Sequence, residues 1–213
     1  RMRIDSSGNV GIGTSSPSAN ITIDKGLGGS SHTTFTTANS YLQLGVADYN
    51  SSGGVYAIGF GYSGGATHSP AYIGLQQTET GSYTKGDLVF RTRSTSTDVE
   101  PPERMRIDSS GNLLVGKSGT AFSSNGVELR PNGALWATVT GQGAASFNIK
   151  GTDGVITDFY KDGATVGSIR AEDGDIVVGN DTSGLKFRDT DFIPRNMNDT
   201  TSNGVVTLGS SGS

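Results

Sequence analysis

Two stretches of this chain alternate apolar and polar residues in the same way. Residues 1–13 read RMRIDSSGNVGIG and residues 104–116 read RMRIDSSGNLLVG, with nine consecutive identities at an offset of 103. In the first, Met2 and Ile4 fall on one face, Ser6-Ser7-Gly8-Asn9 form a turn, and Val10 and Ile12 return to one face. In the second, Met105 and Ile107 precede the turn at Ser109 to Asn112, and Leu113 and Val115 follow it. Period-two alternation about a Gly/Asn turn predicts a β-hairpin. Both copies are therefore read as repeat hairpins, and these eight apolar residues as packing positions.

The same rhythm predicts strands at Asn20 to Ile23, Ser40 to Leu44, Val55 to Phe60, Ala71 to Leu75 and Asp87 to Thr92, separated by Gly/Ser/Asn clusters. Val99-Glu100-Pro101-Pro102 is read as a joint, because prolines cannot donate to a ladder. Beyond the second repeat, turns are expected at Pro131-Asn132-Gly133, Asp153-Gly154, Asp162-Gly163 and Asp173-Gly174, with strands Val155 to Tyr160 and Thr165 to Ile169 between the last three and Ile176 to Val178 after them. Trp136 lies in a strand-like run, Ala134 to Val139, and is read as buried. No stretch sustains a helical apolar period. The expected organisation is a repeat hairpin at 1–15, an aromatic-rich β module at 16–103, the second hairpin at 104–118, a β linker module at 119–150 and a β-meander at 151–213.

Composition changes this picture in one respect. Leu, Ile, Val and Phe together make 45 of 213 residues, which is little core material for a chain of this length, while the net charge of −4 is too small to favour disorder. Burial gained from copies of itself would make up the shortfall, so an obligate homo-oligomer is expected. Glycines number 33 but do not recur every third residue, which excludes a collagen triple helix. The absence of cysteine removes disulfides and thiolate chemistry. No run approaches the roughly 20 apolar residues of a membrane helix, and no signal-peptide pattern opens the chain. The acidic balance argues against nucleic acid as the main partner. The chain reads as an excerpt, since it opens inside a repeat and closes on GSSGS.

Several apparent motifs lose their chemistry in context. Residues 111–118, GNLLVGKS, fit the phosphate-loop pattern, but Leu-Leu-Val favours a strand, no helix follows, and Thr14 stands at the first-copy position of Lys117. GFGYSG at 59–64 fits a dinucleotide fingerprint with no helix after it. The Asp-Gly clusters lack the spacing of a calcium loop and suit hairpin turns. His32 and His68 are the only histidines, and no serine elbow accompanies them. No catalytic, cofactor or metal residue is assigned. Tyr49, Tyr56, Tyr62, His68, Tyr72 and Tyr83, with Phe60, form the candidate binding surface, since aromatic faces pack on sugars; the competing reading is that they fill a module short of aliphatic residues.

The strings at Arg1 to Thr14 and Glu103 to Gly116 resemble those of bacteriophage tail-fibre and tail-spike proteins. Pro70 to Gly74 with Lys85 to Arg93 looks like the module before such a repeat. Gly151 to Ile169, Gly184 to Phe187 and Val206 to Gly209 are similar to a shaft module of the same fibres. The resemblance implies an all-β, elongated, intertwined parallel homotrimer with a β-prism-like shaft and a small sandwich-like module. It implies that Met2, Ile4, Val10, Ile12, Met105, Ile107, Leu113 and Val115 face the core or the trimer axis, and it implies two identical chains as partners, a bacterial surface receptor of glycan type, other tail proteins, and a place in the virion outside the cell. A self-cleaving chaperone of the endosialidase type is expected downstream; it is not within these residues. A glycan-degrading spike and a cellular trimeric adhesin are the alternatives.

Overall fold

A computed structural model describes residues 2–24, 40–44, 53–61, 65–79, 85–180, 183–189, 192–196 and 200–201. Among them the fold is all-β, without helix, and it divides into two compact units, Arg1–Thr140 and Gly141–Ser213.

The first unit holds two sheets. One contains β1 (Met2–Ile4), β2 (Val10–Ile12) and β3 (Ile21–Ile23) in chain order, with β1 antiparallel and β3 parallel to β2. The other is a seven-stranded antiparallel meander: β4 (Val55–Phe60), β5 (Ala71–Gln77), β6 (Gly86–Thr92), β7 (Glu103–Ile107), β8 (Leu113–Val115), β9 (Gly126–Leu129) and β10 (Leu135–Thr138). The strands on either side of Pro101-Pro102, β6 and β7, pair directly with each other. The second unit is a six-stranded antiparallel meander of β11 (Gly154–Lys161), β12 (Ala164–Glu172), β13 (Asp175–Gly179), β14 (Gly184–Phe187), β15 (Phe192–Asn196) and β16 (Thr200–Thr201). The strand expected over Ser40 to Leu44 does not form. Tyr41, Leu42 and Leu44 are exposed there.

The two RMRIDSSGN copies fold alike. Met2 pairs with Ile12 and Ile4 with Val10; Met105 pairs with Val115 and Ile107 with Leu113. Their turns explain the repeated letters. The Asp5 carboxylate accepts the backbone N–H groups of Ser7 and Asn9, both at 2.9 Å, and the Asn9 side-chain amide at 3.1 Å. Asp108 takes the same three bonds, from Ser110, Asn112 and the Asn112 amide. Gly8 and Gly111 sit at φ 84° and 83°, the left-handed position that closes a three-residue hairpin loop. Aspartate and asparagine thus brace each turn across its base, and glycine closes it.

Hydrogen bonding by the Asn9 backbone, foremost, holds the Asp5 carboxyl below its ordinary value. At Asp108 burial pushes upward, but the bonds from Asn112 and Ser110 outweigh it and the net shift is again down. A lowered folded-state pKa contributes stability that is complete above the ordinary value of 3.8 and drains away as pH falls below it. Acid titration should therefore loosen both turns below that pH. The check is hydrogen exchange at the Asn9 and Asn112 amides, which should quicken relative to the intrinsic rate only in that range. Asp5→Asn and Asp108→Asn should abolish the dependence.

Two of the three Asp-Gly pairs of the second unit close hairpins as their sequence predicts, whereas at Asp153-Gly154 the glycine opens β11 and no hairpin turn forms. Asp162-Gly163 and Asp173-Gly174 both have positive φ at both residues and join β11 to β12 and β12 to β13 as two-residue hairpins.

Strand register sorts the seven-stranded sheet into two unlike faces. One carries a row running Leu75, Leu88, Ile107, Leu113, Leu129, Leu135, and beside it a second row of Ile73, Phe90, Met105, Val115 and Val127. The opposite face carries Gly74, Val89, Arg106, Leu114, Glu128 and Trp136. The polar face is the buried one: Val89 is 2% exposed, and Leu114 and Glu128 are 0% exposed. Loop residues reach it. The Pro101 carbonyl accepts from Arg91 at 3.2 Å, and the Ala121 carbonyl from Lys117 at 2.9 Å. The apolar face is left open, with Ile107 40% and Leu135 63% exposed.

The second unit repeats this inversion. Ile169, Val178 and Leu185 share a face, and Ile176 and Phe187, both exposed, lie on it beside them. The opposite face buries Val177 and Lys186. Lys186 Nζ lies 3.3–3.4 Å from carboxylate oxygens of Glu172, Asp173 and Asp175.

Candidate functional site

Of the candidate surface, Tyr49, Tyr62 and Tyr83 lie outside the described residues, as does His32. Tyr56 pairs with Leu75 and Phe60 with Ala71, which sets both aromatics on the apolar face. Tyr72 pairs with Gly59 and Arg91 and lies on the polar face. Alternation thus sends Tyr56 and Tyr72 to opposite sides of the sheet. His68 joins Tyr72.

Those two residues border a cavity of about 510 Å³ over β4, β5 and β6. Period-two geometry builds its floor from Val55, Ala57, Gly74 and Val89. Gly74 keeps that floor low: a Cβ there would stand 2.6 Å from the Tyr56 carbonyl oxygen and 2.7 Å from the Ala57 Cβ. Gln76, Arg91 and Glu100 supply the polar wall. Tyr72 Oη accepts the Ser69 N–H at 2.6 Å, which leaves its own hydrogen to donate. Gln76 accepts from Arg106 through its oxygen at 3.3 Å and keeps its amide hydrogens. Arg91 pairs with Glu100.

Asp98 ties the rim together. Its carboxylate accepts the backbone N–H of Thr67 at 2.6 Å and of His68 at 3.0 Å, with Arg93 at 3.4 Å and His68 Nδ1 at 3.5 Å. The Thr67 bond first, then that of His68, holds its carboxyl below the ordinary value against the opposing effect of burial. This brace joins the segment before β5 to the segment after β6.

An aliphatic floor ringed by donors and one carboxylate suits a hydroxyl-rich ring, whose C–H face packs while its edges hydrogen-bond. Among the described residues that line it, Glu100 is the one acid, whereas glycoside hydrolysis uses a pair of carboxylates. Among the described residues there is no cluster of three or more metal-type ligands.

Lys117, the lysine of the phosphate-loop look-alike, is committed elsewhere. Its Nζ lies 3.1 Å from Glu128, and Leu113–Val115 within the motif is strand β8. Glu128 also accepts from Arg130, whose guanidinium stacks 3.7 Å above the Trp136 ring. Burial pushes the Glu128 carboxyl up, but Arg130 and Lys117 outweigh it and the net shift is down. Trp136 is half-buried and meets Phe122 edge-on at 5.3 Å.

The sequence reading did not single out Gln76, Arg91, Asp98 or Glu100. A signal existed in Asp87-Leu-Val-Phe-Arg-Thr-Arg93, where charged residues take every second or fourth place and so share a face with Val89. No protein-family model matches the chain, and no curated protein matches it at a significant level.

Proposed function

We propose that this chain is a structural segment of a homotrimeric bacteriophage tail fibre that attaches the virion to a bacterial surface glycan. One observation carries the reading. Each meander encloses its ionic face and leaves an apolar face open. Seven strands at about 4.8 Å spacing make such a face roughly 30 Å wide, and continuous apolar patches of that kind mark interaction surfaces. Three parallel copies would turn these faces inward around a common axis, as a β-prism does, and close them from water. The polar faces would then point outward, and with them the cavity beside Tyr72 and Arg91. The RMRIDSSGN resemblance supplies the fibre identity and the threefold symmetry, and the amphipathic cavity supports a sugar as the receptor class.

The test is adsorption of the labelled intact chain to a panel of bacterial strains. The expected result is retention on a subset of strains, reduced at least tenfold by Arg91→Ala or Tyr72→Phe. Retention on no strain, or retention indifferent to both substitutions, would contradict the receptor role of this cavity.

A further inference from the structure

Arg91 is the one permanent cation among the described residues that line the cavity over β4, β5 and β6, and its guanidinium is only partly used. Both of its side-chain hydrogen bonds leave from the same nitrogen. Nη1 donates to Glu100 and, at 3.2 Å, to the Pro101 carbonyl. Nε and Nη2 make no hydrogen bond among the described residues. A guanidinium presents a planar fork of donors that takes both oxygens of a carboxylate at once. Glu100 meets it with one oxygen, on one nitrogen.

The two acceptors of Arg91 are fixed to different degrees. Pro101 is fully buried, whereas the Glu100 side chain is 66% exposed. An ion pair with one partner so open to water is weak. Glu100 can therefore turn into solvent while the Pro101 carbonyl keeps the guanidinium in place. The other polar groups of the wall offer hydrogens. Tyr72 Oη accepts the Ser69 N–H and has its own hydrogen to give. Gln76 spends its oxygen on Arg106, and its amide hydrogens make no bond among the described residues. Asp98 on the rim is engaged, with Arg93 at 3.4 Å and the backbone N–H groups of Thr67 and His68.

We propose, on the glycan reading of this cavity given above, that its ligand is a sugar bearing a carboxylate, a hexuronic acid unit of a surface polysaccharide, and that Glu100 holds the place of that carboxylate. The sugar's carboxylate would take the Arg91 fork through both oxygens and send Glu100 into water. Its ring hydroxyls would accept from Tyr72 and Gln76, and its C–H face would lie on Val55, Ala57 and Val89. The exchange replaces a one-point pair with a two-point pair and leaves no charge buried without a partner. A neutral sugar has no group that could make this exchange.

The test compares methyl glucuronide with methyl glucoside, and methyl galacturonide with methyl galactoside, by NMR titration of the intact chain. Each pair differs only by a carboxylate in place of a hydroxymethyl group. In at least one pair the acid should bind roughly tenfold tighter than its neutral partner. Glu100→Gln, at an exposed position, should tighten the acid about threefold further and leave the neutral sugar unimproved, because the competing carboxylate is gone. Arg91→Gln should abolish the preference, read as the ratio of the two affinities. Equal affinities within both pairs, or an acid that Glu100→Gln fails to tighten, would overturn the carboxylate assignment and leave a receptor for neutral glycan standing. Binding of none of the four would overturn the sugar reading of the cavity itself.

Discussion

Chains carrying both Ile107→Glu and Leu129→Glu are expected to run as monomers while keeping their β structure. The two residues flank Leu113 in the central row of the open apolar face and are 40% and 42% exposed in the single chain. A glutamate at either place stays solvated in the monomer, so the fold itself loses little. In the assembly the same carboxylate would be enclosed by apolar side chains without a partner, a cost of several kcal/mol per ion. Three parallel copies would also bring like charges together around one axis. Sedimentation should report one chain's mass, and far-UV circular dichroism should match the parent. An assembly of unchanged mass would mean that this face is not the contact. A lost β spectrum would mean that the face is needed within the single chain.

The second large effect belongs to the other side of the sheet. Leu114→Ala should destabilise the first unit by about 2–5 kcal/mol, the usual range for emptying a fully enclosed leucine site. Leu114 is 0% exposed and sits between Arg106 on β7 and Glu128 on β9. Both of those are ion-paired, Arg106 with Asp87 and Glu103, and Glu128 with Lys117 and Arg130. A cavity there removes the apolar spacer between two ionic clusters and lets water reach both. Denaturant midpoints should therefore fall sharply for Leu114→Ala. Val115→Ala, one residue on and on the open face, should change the midpoint of the dissociated chain far less. If the two variants behave alike in the monomer, the assignment of buried and open faces is wrong.

That pair of neighbours also marks how far the sequence could be read. Strand existence and turn chemistry were legible. Val55–Phe60 forms over its expected span, Asp87 to Thr92 gains one residue, and the Asp-Gly pairs at 162–163 and 173–174 close hairpins as their preference for positive φ predicts. The identical register of the two repeats was legible too, because Asp and Asn at either end of a three-residue loop leave one way to close it. The side of the sheet that a single chain encloses was not legible. Leu113-Leu114-Val115 has no alternation to choose a face. The choice is made by Asp87 and Glu128, which lie 19 residues before Arg106 and 11 residues after Lys117, and whose pairing with them requires the sheet to exist.

The candidate site was half legible for the same reason. Tyr72 and His68 were marked by residue type, but the rim is held by Asp98 gathering N–H groups 30 and 31 residues away. The grouping of the aromatics by sequence proximity did not survive alternation. Tyr56 and Phe60 share an even-numbered row on β4, whereas Tyr72 projects from β5 on the other side.

Enclosure of the open apolar faces in a trimer is tested most directly by the mass of the unmodified chain in solution. Light scattering across a hundredfold dilution should give about three times 21.9 kDa at every concentration at which the chain is folded. A folded species of 21.9 kDa, stable and soluble with its apolar faces open to water, would contradict it.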